Sequence, residues 1–405
     1  MIKWRDTRIK CLMTTQMLND VTEQNCKVAD STVSAASENK HSNASVQYFL
    51  PCEKFAVAPM VDVTDSIFRR MARIMCKEAI LYTEMIAADA LVHEKYHLID
   101  FKDNEPPVCL QLGGSDPKKL AFATNAGVKR GYQAINLNAG CPSDKVQSGN
   151  FGAILMKTPK LIAQCYSAMQ EAAGDIPVSV KTRIGVDELD SEDFTFELMG
   201  TIYEAGCRHI VIHARKAWLS GLSPKENRTV PPLDYERVYK IKQAFEGLKI
   251  TINGGITTID QCKEELSKVD GVMLGRAVID DPYILCSVDH ELYGKGSNEI
   301  MSREQVIEEV IKLGEAVVAE GKPVHLLYRH ILGLFNGCPN SRLFRRYMSE
   351  HMTKKGASPM VAAHAVAAMK RGSLIWLSLQ SQAHLQKQVR SYNQSFVLTK
   401  VIGRS

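Results

Sequence analysis

Cys141 is the residue of this chain best placed to do chemistry. It ends a short apolar segment within the stretch AINLNAGCPSDKVQSGNFGAILM (134–156), and Pro142 behind it favours an extended backbone. Gly149 and Gly152 in the polar loop that follows suit a lid that orders over a substrate. A thiol here can donate a proton or act as a nucleophile, and because no partner set for acyl transfer accompanies it, we predict proton donation. The alternative is an inert buried cysteine.

Two glycine-containing sequences further along the chain are typical of a phosphate site. Asn253, Gly254 and Gly255 follow one apolar segment, and Gly275 and Arg276 follow the next. Glycine lets backbone amides approach an anion, and an arginine neutralises it. A glycine pair alone is typical of an ordinary turn. Glycine-containing sequences after two successive apolar segments instead favour a binding site for the phosphate of a mononucleotide cofactor.

Lys181 and His213 end two further segments, and Gln111 lies near the end of a third. Each residue taken alone fits an ordinary structural role. A buried lysine or histidine needs a partner, however, and an electron-rich flavin ring can supply one. Together with the phosphate site, these residues predict bound FMN. Because the chain has neither a GxGxxG fingerprint nor a P-loop, a nicotinamide donor would visit the flavin only transiently.

The elements that must position these residues alternate in type. From residue 55 to residue 276, eight short apolar or β-branched segments alternate with amphipathic stretches such as SIFRRMARIM and PKLIAQCYSAMQEAA. This pattern predicts an α/β fold, a parallel (β/α)8 TIM barrel, with an open doubly wound sheet as the alternative. Reactive groups of such barrels lie at the carboxyl ends of the strands, so the residues above would meet at one mouth. Pro59 and Met60 end the first strand at the same rim.

Composition divides the chain into four parts. Residues 1–50 are polar and without periodicity, which predicts a disordered N-terminal extension, and residues 51–300 hold the catalytic barrel. Residues 301–372 have a helical pattern and predict a small helical bundle. Residues 373–405 form a tail whose structure the sequence does not indicate.

The charge is unevenly divided between these parts. The net charge is +5, but residues 322–405 contain 13 basic residues and one acidic residue, whereas the preceding residues contain 37 basic and 44 acidic residues, a net charge of −7. A basic C-terminal part predicts a polyanion as partner. The alternative is a solvated basic face or tail.

Other features disfavour several classes of protein. No apolar run is long enough to span a bilayer, and the eleven cysteines lack the spacing of a zinc site. An odd cysteine count without a secretory signal predicts a reducing compartment, and Asp6, Asp20 and Glu23 argue against an organellar transit peptide. We therefore expect a cytoplasmic protein without a metal or a membrane partner, and we favour a monomer.

Six motifs, in this order, resemble the tRNA-dihydrouridine synthases: APMVDVTD, LNAGCPSDKVQSGNFGAILM, VKTRIGVD, HARKAWLSGLSPKENRTVPPL, NGGI and LGRA. The segments HARKAWLSGLSPKENR and YRHILGLFNGCPNSRLFRRYMSE resemble the A-type subfamily, which reduces uridines 20 and 20a in the D-loop of tRNA. The resemblance covers residues 54–371. It implies FMN on a barrel, NADPH as electron donor and a helical bundle that helps to hold tRNA. In that family, reduced flavin delivers hydride to carbon 6 of uracil and a cysteine protonates carbon 5.

The same resemblance implies roles for single residues. It makes Cys141 the proton donor. It implies an FMN site lined by Pro59, Met60, Gln111, Lys181, His213, Asn253, Gly254, Gly255, Gly275 and Arg276. It implies contacts with tRNA from Asn138, Lys225, Arg228, Arg342 and Arg345.

Three departures from the family pattern lie near these residues. Val63 stands where an aromatic residue is common, Ala139 replaces a valine, and PNSR replaces a glycine-containing turn before Arg342. None of them removes a chemical group, so we expect an active enzyme.

Two other functions stay open. One is an FMN barrel reductase of a small molecule, such as a dihydropyrimidine or an enone, which the basic C-terminal part and the Lys225/Arg228 loop disfavour. The other is a tRNA-binding protein without turnover, which the presence of Cys141 and the phosphate signature disfavours.

Overall fold

The computed structural model describes residues 47–296 and 299–371. Residues 1–46 of the predicted extension and the whole predicted tail, 373–405, therefore lie outside the described residues. The described part consists of a barrel followed by helices.

Eight parallel strands in this part of the chain close into a barrel in sequence order, and β8 pairs with β1. The strands are β1 (Phe55–Val57), β2 (Ile80–Ala87), β3 (Val108–Gly113), β4 (Ala134–Asn138), β5 (Val178–Arg183), β6 (His209–His213), β7 (Lys249–Asn253) and β8 (Gly271–Leu274). Closure confirms the predicted TIM barrel and excludes the open doubly wound sheet. Each strand coincides with one of the eight apolar segments of the sequence.

The register of the barrel sets the predicted site residues at one level. Asn138 at the end of β4 pairs with Lys181 on β5. Arg183 pairs with His213 at the end of β6, and His213 in turn pairs with Asn253 on β7. Because neighbouring parallel strands end at the same rim, these polar side chains gather at the mouth of the barrel.

Helices of the barrel lie between successive strands and cover its outer face. They are α1 (Ser66–Met75), α2 (Ala88–Val92), α3 (Pro117–Lys129), α4 (Asp144–Ser148), α5 (Pro159–Ala173), α6 (Glu192–Glu204), α7 (Tyr235–Ala244), α8 (Ile259–Leu266), α9 (Arg276–Asp280) and α10 (Val288–Tyr293). Short 3-10 helices span Pro51–Lys54, Tyr96–Ile99, Gly152–Lys157, Glu226–Arg228 and Pro282–Ser287. Side chains of Asp65, Ser191 and Asp234 accept backbone hydrogen bonds at the starts of α1, α6 and α7, which explains why these helices begin there.

The helical segment after the barrel contains α11 (Arg303–Ala319), α12 (His325–Tyr328), α13 (Ser341–His351) and a final helix, α14, over residues 361–371. It packs against α1 of the barrel. Arg70 lies 2.9 Å from Glu320, and Arg329 lies 2.9 Å from Asp65, the residue that caps α1. These ion pairs join the helical segment to the barrel beside the loop that follows β1.

Two layers of apolar side chains stabilise the barrel. Strand residues that point outward, such as Leu110 and Ile135, pack against the helices, while Tyr82, Val211 and Met273 belong to a separate buried cluster. Strands that are buried on both faces explain the nearly continuous apolar runs in the sequence. None of the helices in the described ranges is long and apolar enough to cross a membrane.

Candidate active site

Asn138 holds the turn that carries Cys141. The residue ends β4, and its side-chain Oδ1 accepts hydrogen bonds from the backbone N–H groups of Gly140 (3.2 Å) and Cys141 (3.0 Å). The thiol of Cys141 is half-buried, and its Sγ lies 3.5 Å from Oγ of Ser143. An asparagine that bonds the backbone two and three residues ahead of it fixes a tight turn. The turn therefore holds the thiol at the open end of the barrel.

A row of amides below the turn makes Asn138 rigid. Its Nδ2 donates to Oε1 of Gln111 (2.8 Å), whose Nε2 donates to Oδ1 of Asn136 (2.7 Å), and Asn136 donates to Oγ of Ser179 (2.9 Å). Gln111 lies inside β3, and its side chain is almost completely buried. A fully bonded buried network holds each member in one orientation. One predicted cofactor residue, Gln111, is thus joined directly to one predicted tRNA residue, Asn138.

Lys181 lies deep in the mouth and is bonded to Asn253. Its Nζ donates to Oδ1 of Asn253 (3.1 Å), and Nδ2 of Asn253 donates to the carbonyl of Met273 (2.7 Å). Burial, followed by the nearby cations Arg183 and Arg228, lowers the pKa of Lys181 to about 7. The ammonium form is therefore poorly compensated by the protein itself, and an anion beside it would be stabilising.

Gly254 and Gly255 form a turn that side chains could not occupy. Their φ angles are +112° and +80°, and a Cβ on Gly254 would lie 2.5 Å from the ring of His213. A Cβ on Gly255 would lie 2.5 Å from a methyl group of Leu233. The hydroxyl of Tyr235 donates to the carbonyl of Gly254 and fixes the turn. The two glycines are required here because only glycine adopts these angles without strain.

The ends of β1 and β8 meet beside this turn. A Cβ on Gly275 would lie 3.6 Å from the sulfur of Met60, so the two residues are neighbours, and Pro59 and Met60 are both partly exposed. Arg276 begins α9, and its guanidinium donates to the carbonyl of Arg228 (2.9 Å). Gly275 itself has a negative φ of −119°, and a built Cβ would make only ordinary van der Waals contacts, so neither a positive φ nor crowding requires a glycine there.

Several cations gather at the mouth without a neighbouring carboxylate among the described residues to balance them. Burial and four neighbouring cations hold the pKa of His213 well below its usual range; these cations are Arg183, Lys181, Arg215 and Arg228. Nε and Nη1 of Arg215 are buried and have no hydrogen-bond partner within the described part of the chain. Buried guanidinium nitrogens without partners are costly unless a ligand pairs with them. Together with the glycine turn, this surplus of positive charge fits the phosphate and the electron-rich ring of a flavin mononucleotide.

Two predicted tRNA residues lie in the long loop after β6. Lys225 precedes the 3-10 helix Glu226–Arg228, and Lys225 and Arg228 are both solvent-exposed. Because Arg228 also acts electrostatically on Lys181 and His213, this loop reaches from the protein surface to the mouth.

The remaining two, Arg342 and Arg345, lie on α13 rather than at a strand end. Arg342 is exposed, and the guanidinium of Arg345 donates to Oδ1 of Asn336. The side chain of Asn336 in turn donates to the carbonyl of Asp280 at the end of α9, which Arg276 begins. Asn340, in the PNSR turn, has a φ of +59°, so an asparagine here adopts the left-handed conformation that a glycine would favour.

A family model described as dihydrouridine synthase matches residues 56–370 of the chain. The chain belongs to the dihydrouridine synthase family. It is 48% identical over 303 residues to the tRNA-dihydrouridine(20/20a) synthase of Shewanella oneidensis, covering 75% of this chain and 90% of the relative. The enzymes of the same name from Vibrio vulnificus and from Synechocystis are also 48% identical, over 315 and 316 residues; each match covers 78% of this chain, and 96% and 94% of the relatives.

Membership makes this chain an oxidoreductase of a flavin-dependent family, which agrees with the cationic mouth. Among solved structures, an old yellow enzyme homologue from Zymomonas mobilis aligns with 62% of this chain and 92% of its own, at 12% identity and a TM-score of 0.42. That likeness is too distant to bear on function.

Sequence reasoning did not assign a role to four residues that shape this dihydrouridine synthase site: Gln147, Arg183, Arg215 and Asn227. Arg183 lies two residues after Lys181 on one strand, so their side chains point to the same face, and this spacing was the available signal. Arg215 follows the strand that ends in His213. For Gln147 and Asn227 the sequence carries no such signal, because their partners lie in other loops.

Proposed function

We propose that this chain is an FMN-dependent tRNA-dihydrouridine synthase that reduces the C5–C6 double bond of uridines 20 and 20a in the D-loop, with NADPH as the electron donor. The observation that carries the proposal is the position of the Cys141 thiol, half-buried at the rim of a mouth in which four cations surround His213 and two buried nitrogens of Arg215 lack partners among the described residues. The relatives are named for this reaction, and the chain contains 90% or more of the length of those cited above.

FMN, when bound, supplies the hydride for carbon 6 of the uracil ring. The residues that would hold it are Pro59, Met60, Gln111, Lys181, His213, Asn253, Gly254, Gly255, Gly275 and Arg276. The Gly254–Gly255 turn and the unpaired guanidinium of Arg215 suit its phosphate, and Lys181 and His213 suit its ring. Bound anion would relieve the repulsion among these cations, so flavin binding also stabilises the mouth.

Cys141 would donate the proton that carbon 5 requires. Asn138 accepts hydrogen bonds from the backbone N–H groups of Gly140 and of Cys141 itself, so the thiol is held at one place relative to the mouth. General acid catalysis of this kind contributes about 10²- to 10⁴-fold in rate. Replacement of the thiol should therefore remove most of the product without removing the flavin.

Arginine and lysine side chains beyond the mouth would bind the RNA. Lys225 and Arg228 lie next to the reacting base in this proposal, while Arg342 and Arg345 on α13 would contact more distant phosphates. The helical segment at 301–372 is then a tRNA-binding domain. Phosphate contacts give affinity, and a uridine turned out of its stack reaches the mouth.

Dihydrouridine mapping in tRNA from cells that lack their own synthases tests this proposal. Those cells would express the wild-type chain or Cys141→Ala as the control. We expect product at positions 20 and 20a with the wild type and a loss of at least about 100-fold with the variant, which should remain yellow and bind tRNA. Equal product from both proteins would remove Cys141 from the mechanism.

A negative result is also informative. If yellow wild-type protein makes no dihydrouridine but reduces a free pyrimidine or an enone, the small-molecule reductase is correct. If the purified protein is colourless and still binds tRNA, the chain is an RNA-binding protein without turnover.

A further inference from the structure

Side chains tie two functional loops of the mouth together. We name residues 139–152, which contain Cys141, the acid loop, and residues 216–230, which contain Lys225 and Arg228, the basic loop. The acid loop follows β4 and the basic loop follows β6, so two helices, α5 and α6, and two strands, β5 and β6, separate them in the chain.

Gln147 bridges these loops directly. Its Nε2 lies 2.8 Å from the carbonyl oxygen of Pro142 in the acid loop and 2.8 Å from that of Leu219 in the basic loop. A primary amide has two N–H groups, so it can donate both hydrogen bonds at once. Pro142 directly follows Cys141, and the bridge therefore ends one residue from the thiol.

Arg183 makes a second bridge from below. Its side chain is 4% exposed; Nε donates to the carbonyl of Gly140 (3.0 Å), and Nη1 donates to the carbonyls of Lys216 (3.0 Å) and Asn227 (2.9 Å). One bond reaches the acid loop beside Cys141, and two reach the basic loop. The three carbonyls compensate for burial of the guanidinium, and the fixed planar geometry of that group holds them at set positions.

The basic loop is itself held rigid by Asn227. This side chain is completely buried; its Oδ1 accepts from the N–H of Trp218 (2.7 Å), and its Nδ2 donates to the carbonyl of the same residue (2.9 Å). Asn227 lies between Lys225 and Arg228. The two cations are therefore attached to the part of the loop that Arg183 and Gln147 hold, rather than to a free end.

The loop after β5 completes the connection at Leu219. The N–H of Leu219 donates to Oδ1 of Asp187 (2.8 Å), and its carbonyl accepts from Gln147. Lys157, just beyond the acid loop, lies 2.7 Å from Oδ2 of Asp187. Both backbone polar groups of Leu219 are thus bonded to side chains: one is Gln147 of the acid loop, and the other is Asp187, which also pairs with Lys157.

We infer that the acid loop and the basic loop move as one unit, and that Gln147 is a positioning residue through which RNA bound at Lys225 and Arg228 sets the position of the Cys141 thiol. This inference rests on the proposed function. Phosphates bound to the two cations fix the basic loop, and the two bridges fix the backbone on either side of Cys141. RNA that does not reach the basic loop should then be reduced with a lower kcat as well as a higher KM, because a misplaced acid slows the chemical step.

Two substitutions of similar size isolate the bridge. Gln147→Glu keeps the shape of the side chain but has no N–H group and would face two carbonyl oxygens. Gln147→Met also lacks the donors and adds no charge, so it separates the lost bridge from charge repulsion. Each variant is assayed at saturating tRNA, with dihydrouridine formed per bound flavin as the readout.

Gln170→Glu is the matched control. Nε2 of Gln170 also donates to two backbone carbonyls, those of Gly174 (3.1 Å) and Ile176 (3.2 Å), but it lies on α5 before the start of β5, at the end of the barrel opposite the mouth. Loss of this bridge should lower the melting temperature while kcat per bound flavin stays within about twofold of the wild type, because no group at the mouth depends on it.

We expect both Gln147 variants to lower kcat by about 10- to 100-fold, with KM for tRNA and the flavin content within about twofold of the wild type. If the wild type is active and both Gln147 variants have the same kcat as the wild type, the inference is wrong and the proposed function stays intact. A raised KM with unchanged kcat would also overturn it, because Gln147 would then serve affinity alone. A wild type without product would remove the proposed function, and the inference with it. Should Gln147→Glu fail to fold, Gln147→Met gives the same comparison.

Discussion

Strand β6 begins and ends with a buried histidine, and the two have opposite surroundings. His209, at the closed floor of the barrel, is 1% exposed; its Nδ1 lies 3.2 Å from a carboxylate oxygen of Glu53, and its Nε2 lies 2.9 Å from the hydroxyl of Thr251. His213, at the mouth, is 8% exposed, and all four of the charged groups that shift its pKa are cations. Both histidines lie on the same strand and both are buried, so they differ in the groups that surround them.

At the floor the protein itself places a carboxylate beside the histidine, although Nδ1 of His209 makes no aligned hydrogen bond with the described residues. Glu53 also accepts a hydrogen bond from the N–H of Leu50 (2.6 Å), and the ring of Phe49 meets the His209 ring edge-on at 4.9 Å. At the mouth, by contrast, cations repel one another, and two buried nitrogens of Arg215 find no partner in residues 47–296 and 299–371. A buried group that faces like charges indicates a ligand, whereas a buried group beside the opposite charge indicates a structural role. The mouth is therefore the functional end of this barrel.

Matched replacement of the two histidines gives the largest expected contrast. His209→Ala should lower the free energy of unfolding by roughly 2–4 kcal/mol, because the buried carboxylate of Glu53 loses its partner, and should leave the FMN dissociation constant unchanged. His213→Ala should change the unfolding free energy of the flavin-free protein by less than about 1 kcal/mol and weaken FMN binding by about 10- to 100-fold. Urea unfolding and flavin fluorescence titration measure the two quantities. Equal losses of unfolding free energy in the two variants would contradict the assignment of a structural role to His209 and a cofactor-binding role to His213.

Two glycines with positive φ, one at the mouth and one away from it, allow a similar comparison with smaller expected effects. In Gly254→Ala the new Cβ would lie 2.5 Å from the His213 ring at a φ of +112°, so we expect roughly tenfold weaker FMN binding. Gly247, between α7 and β7, has a φ of +72° and open space around a built Cβ. Gly247→Ala should cost about 1 kcal/mol of stability from backbone strain without altering FMN affinity. If flavin titration gave the same affinity for both variants, the turn at Gly254 would not be part of the cofactor site.

Because of Lys181, the unfolding free energy of the flavin-free protein should depend on pH. The unfolded chain keeps this lysine protonated up to its ordinary pKa of about 10.4, whereas the folded, flavin-free protein releases the proton above a pKa of about 7. The unfolded state therefore binds more protons above pH 7, and the unfolding free energy should rise with pH by up to about 1.4 kcal/mol per unit between pH 7 and 8.5. Urea unfolding of flavin-free Lys181→Met should lack this contribution to the slope. Identical slopes for wild type and variant would mean that the Lys181 ammonium is already compensated.

Exposed cations outside the mouth should show the smallest effect. Arg342→Gln combined with Arg345→Gln should weaken tRNA binding by a few-fold and reduce the slope of log affinity against log salt concentration by about 1.5, because two phosphate contacts are lost. Flavin binding should stay unchanged, since neither residue reaches the mouth cations, and stability should fall by only about 1 kcal/mol from the lost Arg345–Asn336 hydrogen bond. Neutralisation of Lys263 and Lys312, exposed lysines on α8 and α11, is the control. An unchanged salt slope for the arginine pair would mean that the RNA does not contact α13.

The sequence by itself determined the architecture and the chemical groups. Short apolar segments that alternate with amphipathic stretches are local features, and they predicted all eight strands as well as helices such as α1 and α5. The carboxyl-end rule then gathered Cys141, Lys181 and His213 at one rim, because that rule needs only the order of strands. Local pattern and strand order carry this information, so no three-dimensional structure was needed to obtain it.

Only the tertiary structure decided which groups share partners. The sequence HIVIH gives no reason to treat its two histidines differently; closure of the barrel brings Glu53 to one and the cations of β5 and the basic loop to the other. In the same way, Gln147, Arg183 and Asn227 gain their roles from carbonyls in loops remote from them in sequence. Backbone carbonyls are present in every residue and leave no mark in the sequence, so the coupling of the acid loop to the basic loop becomes visible only when the chain is folded.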